Sequence, residues 1–417
     1  MLSELIAQSW ANLRRQRTRS LLTMLGIVWG IVAVAVLMSY GRGFRAMMIR
    51  GFDAFGKSAV VCWPGQTSAQ AGGERAGRRV VFEKVDRDQI LAEATMVKSV
   101  SLETVRTLPM AYGSRVRDVT VRGVEAPYGE IRNEVANEGR WISLEDVLER
   151  RRVVFLGGRL RQRLFSGRPA LGETVRISGV RFTVIGTMAR KIQLSSYFNM
   201  DEESAFIPYS AAGDLWNTRY ANVLVFSPVL PSLETQAKRQ VRAAVAKRQR
   251  FNASDERTIM MIGREQFRPI IDGLTIGLQG LLLFIGTLTL TIGGVGVANI
   301  MLVSVDERIR EIGLRRALGA RRRHIRAQFL VEALVLTLVG GGLGILLAWG
   351  VIALVGSLPM FGAMFEDTSG QGDLHLVLSV PVVLASTLIL LVVGTLSGLF
   401  PALKASRLDP VDALRYE

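Results

Sequence analysis

The stretch "EIGLRRALGARRRHIRAQFLVEA", residues 311–333, carries six arginines and one histidine and lies between two long apolar runs. These runs, residues 273–305 and 333–365, contain no Asp, Glu, Lys or Arg. A membrane-spanning helix needs about 20 apolar residues to cross a hydrocarbon core of about 30 Å. The stretch is therefore predicted to be a short basic connection between two membrane spans, and the arrangement of the whole chain follows from it.

Two further runs without charged residues, 20–41 and 374–403, complete the apolar part of this 417-residue chain. The breakers in "GSLPMFG" (356–362) divide the third run into a helix and a loop. No A-x-A cleavage site follows the first run, which favours a retained helix over a cleaved signal peptide. We predict four transmembrane helices: residues 20–41, 273–305 (with a stalk), 329–356 and 377–403.

The distribution of basic residues predicts the orientation of the chain. Eight arginines lie between residues 306 and 328, and the tail (404–417) also contains basic residues, whereas the charged residues of the loop 357–376 are all acidic. Lys and Arg accumulate in cytoplasmic loops. Both termini and the connection 306–328 are therefore expected in the cytoplasm of a bacterial inner membrane protein, with residues 42–272 outside.

The large external region, residues 42–272, is predicted to be a mixed α/β domain, so the fold class is an α+β membrane protein. The predicted strands are 59–63, 117–125, 152–156, 173–178 and 180–188, and the predicted helices are 86–94, 158–165 and 232–250. Ser178 and Gly179 would join the last two strands as a hairpin. Two lobes are expected, one on each side of residues 133–150. Residues 1–19 favour an amphipathic cytoplasmic helix in contact with membrane lipid.

The membrane segments contain pairs of glycines four residues apart, which allow two helices to approach closely in lipid. The candidate packing residues are Gly26, Gly30, Gly273, Gly277, Gly340, Gly344, Gly394 and Gly398. The second run is also unusually long. Its 33 residues would form a helix of about 50 Å, which is longer than the hydrocarbon core, and this favours a stalk that carries the external domain.

Residues that would indicate chemistry are scarce. The G-x-S-x-G elbow does not occur in the sequence. The two histidines, His324 and His375, are not paired at metal-ligand spacing, and Cys62 is the single cysteine. We expect no catalytic centre, no metal site, no cofactor bound by this chain and no nucleic-acid partner.

The basic connection allows two interpretations. Its arginines can simply fix the topology and contact anionic headgroups, which is the usual role of juxtamembrane basic residues. However, its first part has helical character, and Gly319 would allow a break before a second short helix. Its apolar members are more numerous than a solvated loop requires, which indicates docking to a partner: Ile309, Ile312, Leu314, Ala317 and Leu318.

Four stretches together resemble a known family of permeases. "ERIREIGLRRALGARRRHIRAQFLVEA" (307–333) resembles the signature of the FtsX-like permease domain, in which E-R-x-x-E-I-G-x-x-[KR]-A-x-G-A precedes a glutamate early in the next helix. "PALKASRLDPVDALRYE" (401–417) resembles the end of that domain. "ANLRRQRTRSLLTMLGIVWGIVAV" (11–34) and "ETVRISGVRFTVIGTM" (173–188) resemble parts of MacB-type permeases.

The resemblance implies a permease subunit, as a homodimer or a heterodimer with a related permease, bound by a separate ABC ATPase that uses ATP and Mg²⁺. In MacB the ATPase is fused ahead of the first helix, whereas here only about 19 residues precede that helix. By position in the motif, the resemblance assigns a coupling helix that seats in the ATPase: Glu307, Arg308, Glu311, Ile312, Gly313, Arg315 and Arg316.

Export of an antibiotic, peptide or similar substrate is the function that the resemblance favours, with a periplasmic adaptor and an outer-membrane channel as possible partners. In such systems, ATP-driven motion passes along the second helix to the external domain. Two alternatives stay open: a lipoprotein-releasing permease, and a signalling complex that regulates a cell-wall hydrolase or senses a peptide and transports nothing. The size of region 42–272 argues against the hydrolase regulator, because FtsX itself has a much smaller external domain.

Overall fold

The computed structural model describes residues 17–415 except 55, 57, 72, 192, 194–195, 362–369 and 371. The predicted amphipathic helix at the N-terminus lies almost entirely outside the described residues. The described chain forms two compact units, which we call the helical unit (residues up to 47, 273–360 and from 373) and the α/β domain (48–272 and 361–372).

The elements are numbered in chain order. The α-helices are α1 (Arg17–Asp53), α2 (Lys84–Glu93), α3 (Tyr128–Ile131), α4 (Leu144–Leu148), α5 (Gly158–Phe165), α6 (Tyr209–Ala212), α7 (Glu234–Gln249), α8 (Arg264–Glu307), α9 (Ile309–Ala317), α10 (Arg322–Val355), α11 (Val380–Arg407) and α12 (Pro410–Arg415). The strands are β1 (Val60–Pro64), β2 (Val97–Tyr112), β3 (Arg115–Val124), β4 (Ala136–Gly139), β5 (Val153–Leu156), β6 (Thr174–Ile177), β7 (Val180–Met188), β8 (Ser204–Pro208), β9 (Val223–Pro228), β10 (Ile259–Ile262), β11 (Ser357–Pro359) and β12 (Asp373–His375).

Four helices, α1, α8, α10 and α11, are long and apolar enough to cross a membrane. The predicted fold class, four membrane helices with a mixed α/β domain between the first and the second, is confirmed. The helices do not end where the apolar runs end: α1 continues to Asp53 and α8 begins at Arg264. Hydropathy locates the part of a helix that lies in lipid, and a helix can continue into polar sequence beyond it.

Six of the eight candidate packing glycines face a neighbouring helix at short distance. A Cβ added to Gly26 would lie 3.4 Å from Gly293 Cα, and one added to Gly30 would lie 2.8 Å from Leu290 Cδ1. On α10, a Cβ added to Gly340 would lie 3.2 Å from Ile27 Cγ2, and one added to Gly344 would lie 2.9 Å from Ile31 Cβ. On α11, a Cβ added to Gly394 would lie 2.6 Å from Thr337 Cγ2, and one added to Gly398 would lie 2.6 Å from Ala333 Cβ. Gly273 and Gly277 have no described atom within 4 Å of such a Cβ. The close glycines lie where α1, α8, α10 and α11 pack on one another.

The crossing of α1 and α8 is so close that one more methyl group would meet backbone. A Cβ on Gly293 would lie 2.8 Å from the carbonyl oxygen of Gly26. We therefore expect Gly293→Val to destabilise the helical unit by about 1–3 kcal/mol, the usual cost of overpacking. Thermal unfolding of the full chain in detergent measures this effect. Gly296→Val is the matched control on the same helix, because a Cβ there meets no described atom within 4 Å, and an equal loss in both variants would contradict the expectation.

The α/β domain is built on one ten-stranded sheet. Its strand order is β10-β1-β9-β2-β3-β8-β5-β7-β4, and β6 pairs with β2 and β7. The pairs β3/β8 and β5/β7 are parallel, and the others are antiparallel. The predicted hairpin is β6–β7, and its two turn residues, Ser178 and Gly179, both have positive φ, of 45° and 86°. A two-residue turn of this kind matches the right-handed twist of the flanking strands.

The prediction that the domain divides into lobes at residues 133–150 is wrong. One hydrophobic core combines residues from 60–102 with residues from 209–261, and a second combines residues from 110–121 with residues from 154–212. Residues 133–150 instead add Trp141 and Ile142 to a third core cluster. The error arises because the first and last parts of the domain fold together, so its cores do not follow the order of the chain.

An unexpected feature of the domain is a cluster of charged side chains in its interior. We call it the buried ionic cluster, and it comprises Arg122, Arg132, Lys191, Glu103, Glu134 and Asp201. Arg122 lies 3.1 Å from Glu103 and 3.4 Å from Asp201, and Arg132 lies 2.9 Å from Asp201. Both guanidinium groups also contact the ring of Tyr197, each at 4.9 Å from its centroid. The cluster joins β2 and β3 to the loop that precedes β8.

The carboxylates of this cluster differ in their electrostatic surroundings. Burial, together with the nearby Asp201 carboxylate, raises the pKa of Glu134 to about 8. Burial also disfavours ionised Asp201, but Lys191, Arg132 and Arg122 outweigh this effect and hold its pKa below the usual value. The three cations are therefore what keeps Asp201 ionised inside the domain.

Candidate functional site

The basic connection of the helical unit folds into a short helix, α9, with a break at each end. The backbone leaves the helical conformation at Arg308 (φ −113°, ψ 15°), directly after α8. It leaves it again after α9, where Gly319 has a φ of +96°. The predicted break at Gly319 is therefore present. The prediction of a separate second short helix after this break is wrong. The chain from Arg322 to Val355 forms one continuous helix, α10.

One face of α9 packs against the rest of the helical unit. Ile309 and Ile312 are buried, and Ile312 belongs to the main core of the membrane helices. Gly313 contacts α12 so closely that an added Cβ would lie 2.6 Å from the Cβ of Ala413. A side chain larger than glycine at this position would separate α9 from α12.

Two arginines of the predicted coupling set attach α9 to the membrane helices. Arg316 Nη1 donates to the carbonyl oxygens of Leu408, at 2.7 Å, and Ser406, at 3.3 Å. These carbonyls lie at the C-terminal end of α11, where the last carbonyls of a helix lack intrahelical partners. Arg308, at the junction of α8 and α9, forms an ion pair of 3.4 Å with the mostly buried Glu332 of α10. Both guanidinium groups are thus engaged within the chain.

Arg315 also contacts α10. Its Nη1 donates to Gln328 Oε1 at 2.8 Å, and its Nη2 donates to Glu311 Oε1 at 2.5 Å. The spacing of Glu311 and Arg315, four residues apart, is the favourable one for an ion pair on a helix. This pair lies at the edge between the packed face of α9 and its solvent face.

The opposite face of α9 is exposed. Arg310, Glu311, Leu314 and Leu318 follow one another at intervals of one, three and four residues, and Leu314 and Leu318 are 52% and 80% exposed. Glu307 is exposed directly before this face. We call these five residues the outer face of α9. Beside it, α9, α11 and α12 border a cavity of about 620 Å³ lined by Ile309, Phe400, Leu403, Lys404, Arg407, Leu408, Asp409, Asp412 and Ala413.

The structure thus separates the seven predicted coupling residues into two groups. Glu307 and Glu311 lie on the outer face, whereas Arg308, Ile312, Gly313 and Arg316 pack or bond inward and Arg315 contacts α10. Arg310, Leu314 and Leu318 belong to the outer face but not to the predicted set. The sequence signal that could have identified two of them is the pair of apolar residues Leu314 and Leu318, four residues apart in a basic segment.

Within the described ranges, no group of three or more His, Cys, Asp or Glu side chains is arranged to hold a metal ion. The outer face of α9 combines charged side chains with two exposed leucines.

Comparison with known families covers both units of the chain. Residues 20–249 match the sequence profile of the MacB-like periplasmic core domain, and residues 283–410 match that of the FtsX-like permease C-terminal domain. The chain belongs to the MacB-like permease family. Membership places it among the permease components of ABC transporters, as the sequence resemblance predicted.

Two relatives of this permease are similar over its whole length. The macrolide export ATP-binding/permease protein MacB of Hahella chejuensis is 30% identical over 418 residues, which cover 100% of this chain and 60% of MacB. The uncharacterized ABC transporter permease YknZ of Bacillus subtilis is 29% identical over 420 residues, which cover 100% of both chains. The permease therefore spans about three fifths of the length of that MacB protein.

Among solved structures, the periplasmic region of MacB from Actinobacillus actinomycetemcomitans matches 52% of this permease and 94% of that chain. The sequence identity is 16% and the TM-score is 0.41.

Proposed function

We propose that this chain is the permease subunit of an ABC-type export system in a bacterial inner membrane. In this proposal an ATPase subunit binds the cytoplasmic side, and its ATP-driven motion reaches the α/β domain in the periplasm, which expels an antibiotic, a peptide or a similar substrate. Both termini and α9 are cytoplasmic. The relatives support this function through their names, since one is an ATP-binding/permease protein for macrolide export and the other is an ABC transporter permease.

The observation that carries the proposal is the two-sided construction of α9. Its inner face is held by α12 at Gly313, by the end of α11 at Arg316 and by α10 at Arg308 and Arg315. Its outer face presents Glu311, Leu314 and Leu318 to solvent. A partner that binds the outer face and moves therefore moves the ends of the membrane helices with it. An ATPase groove with an apolar floor and a charged rim would complement this surface.

Helix α8 has the length that transmission to the α/β domain requires. Its 44 residues correspond to about 66 Å at 1.5 Å per residue, whereas the hydrocarbon core is about 30 Å thick. One continuous helix therefore extends well beyond the lipid. We propose that α8 acts as the lever that carries motion from α9 outward.

The proposed assembly contains a second permease subunit, identical or related. A periplasmic adaptor and an outer-membrane channel are its further proposed partners. Gly273 and Gly277 support the second subunit, because they face no described atom of their own chain and small residues favour close contact between helices in lipid. Such a contact would lie along α8.

The test of this function is purification of the full permease from its native membrane after mild cross-linking, with mass spectrometry of the attached proteins. Recovery of an ABC ATPase together with an adaptor protein would support export. Recovery of an ATPase with a lipoprotein carrier or a cell-wall hydrolase would replace export with one of the alternatives. Recovery of no ATPase would overturn the permease mechanism, and α9 would then serve only the topology of the chain.

A further inference from the structure

The start of α8 is attached to the α/β domain by a buried carboxylate. The chain passes from β10 into α8 through a single residue, Gly263. Glu234, the first residue of α7, is buried, and its Oε2 accepts a hydrogen bond of 3.2 Å from the backbone N–H of Glu265 in the first turn of α8. The first N–H groups of a helix lack intrahelical acceptors, and a negative charge there is favourable. Lys238, at 2.5 Å from Oε1, holds the same carboxylate from the other side.

The position of this carboxylate leaves no room for a side chain at residue 263. A Cβ on Gly263 would lie 2.1 Å from Glu234 Oε1 and 2.6 Å from its Cδ. The carboxylate is the end of a flexible side chain and could move away, but it would then lose its bond to Glu265. Glycine at this position is therefore what allows Glu234 to reach α8.

Further contacts lie at the same place. The Thr235 hydroxyl donates to the Glu265 carboxylate, so two consecutive residues of α7 bind α8. The C-terminal end of α1 also contacts the first turns of α8. Arg264 forms an ion pair with Asp53 at 3.6 Å, and the ring centroids of Phe52 and Phe267 lie 5.5 Å apart.

Helix α7 is itself firmly packed. One side of it is buried in the first hydrophobic core of the domain, through Ala237, Val241, Ala244 and Val245. We propose that Glu234 is a positioning residue that fastens α8 to α7, so that any movement of α8 is passed to the first hydrophobic core, to which α2 and α7 both contribute. This inference rests on the proposed function for the source of the movement, but the attachment itself does not.

The first experiment tests the attachment without ATP, by spin-label distances in the full permease in lipid nanodiscs. Labels on Gln266→Cys in α8 and Leu91→Cys in α2 report whether the two helices are held together, and the native Cys62 is fully buried and does not interfere. Glu234→Ala is expected to raise the population of a second, detached distance roughly fivefold, the factor that corresponds to one lost helix cap. Gly263→Ala should also raise the detached population, because the added methyl group displaces the carboxylate. Glu234→Gln keeps an acceptor oxygen, so its distance distribution should be close to the single distance of the parent protein. Glu256→Ala, which changes an exposed carboxylate, is the matched control.

The second experiment adds the co-purified ATPase and ATP and moves one label to Val380→Cys, at the start of α11. In the parent protein, ATP should change both the Gln266–Val380 distance and the Leu91–Val380 distance. In Glu234→Ala, ATP should still change the first distance, but the mean change in the second distance should be smaller, because the detached fraction of molecules does not transmit it. If ATP changes neither distance in the parent, the proposed function is wrong. Glu234→Ala could instead keep a single Gln266–Leu91 distance and show the same two ATP-dependent changes as the parent protein. The role assigned to Glu234 would then be wrong, and the proposed function would stand.

Discussion

Replacing Arg122 with methionine is expected to destabilise the α/β domain by about 3–5 kcal/mol, the usual cost of removing one partner from a buried ion pair. Arg122, Glu103 and Asp201 are all fully buried, so their charges cannot be compensated by water. The variant leaves Glu103 without its nearest cation. It also removes two hydrogen bonds from Arg122 Nη2, of 3.0 Å and 2.6 Å, to the carbonyls of Tyr197 and Asn199.

Urea unfolding of the full chain in detergent, followed by tryptophan fluorescence, measures this loss. Arg106→Met is the matched control, because Arg106 lies on the neighbouring strand β2 but is exposed, and surface substitutions usually change stability by less than about 0.5 kcal/mol. A difference of less than about 1 kcal/mol between the two variants would show that water or local rearrangement compensates the cluster, and that the cluster does not hold the loop before β8 in place.

The elements that the sequence predicted well are those whose signal is local. Helix α5 was predicted with the same bounds, and the β6–β7 hairpin follows from alternating residues on either side of Ser178 and Gly179. The four membrane helices follow from apolar runs that exceed the thickness of the bilayer. Each of these signals lies within about 30 consecutive residues and needs no knowledge of distant parts of the chain.

The elements that were missed depend on distant partners. Strand β2 contains Pro109 and several charged residues, so its sequence does not alternate clearly, yet it pairs with β3, β6 and β9. The buried ionic cluster was missed for the same reason. Its members are spread from Glu103 to Asp201, and charged residues are normally assigned to the surface.

The coupling segment was located from the sequence, but the direction of its side chains was not. A helical period shows which residues share a face and does not show which face is buried. Arg316 would be expected on the surface as a charged residue, yet it bonds the carbonyls at the end of α11. Of the apolar residues for which docking to a partner was predicted, Leu314 and Leu318 are exposed, whereas Ile309 and Ile312 are buried within the chain. The proposal therefore adds Arg310, Leu314 and Leu318 to the coupling residues, and the roles of Arg315 and Arg316 in coupling stay predictions.

The second large effect is expected from Leu314→Asp combined with Leu318→Asp. If the outer face of α9 binds the ATPase, two charges placed in the centre of the contact should weaken the affinity by roughly 30-fold or more, as for interface residues that contribute about 2 kcal/mol. The fold should be unaffected, because both side chains point away from the core of the helical unit. The affinity of the purified permease in nanodiscs for its ATPase, and the unfolding temperature of the permease, measure the two parts of this expectation.

Two comparisons give this experiment its specificity. Leu144→Asp with Leu148→Asp changes a matched pair in the α/β domain, also four residues apart and 62% and 72% exposed, and should leave ATPase binding unchanged. Arg316→Ala should show the opposite pattern on α9, with a lower unfolding temperature, because the carbonyls of Ser406 and Leu408 lose their donor. Normal ATPase affinity in the Leu314/Leu318 variant would exclude the outer face as the binding surface.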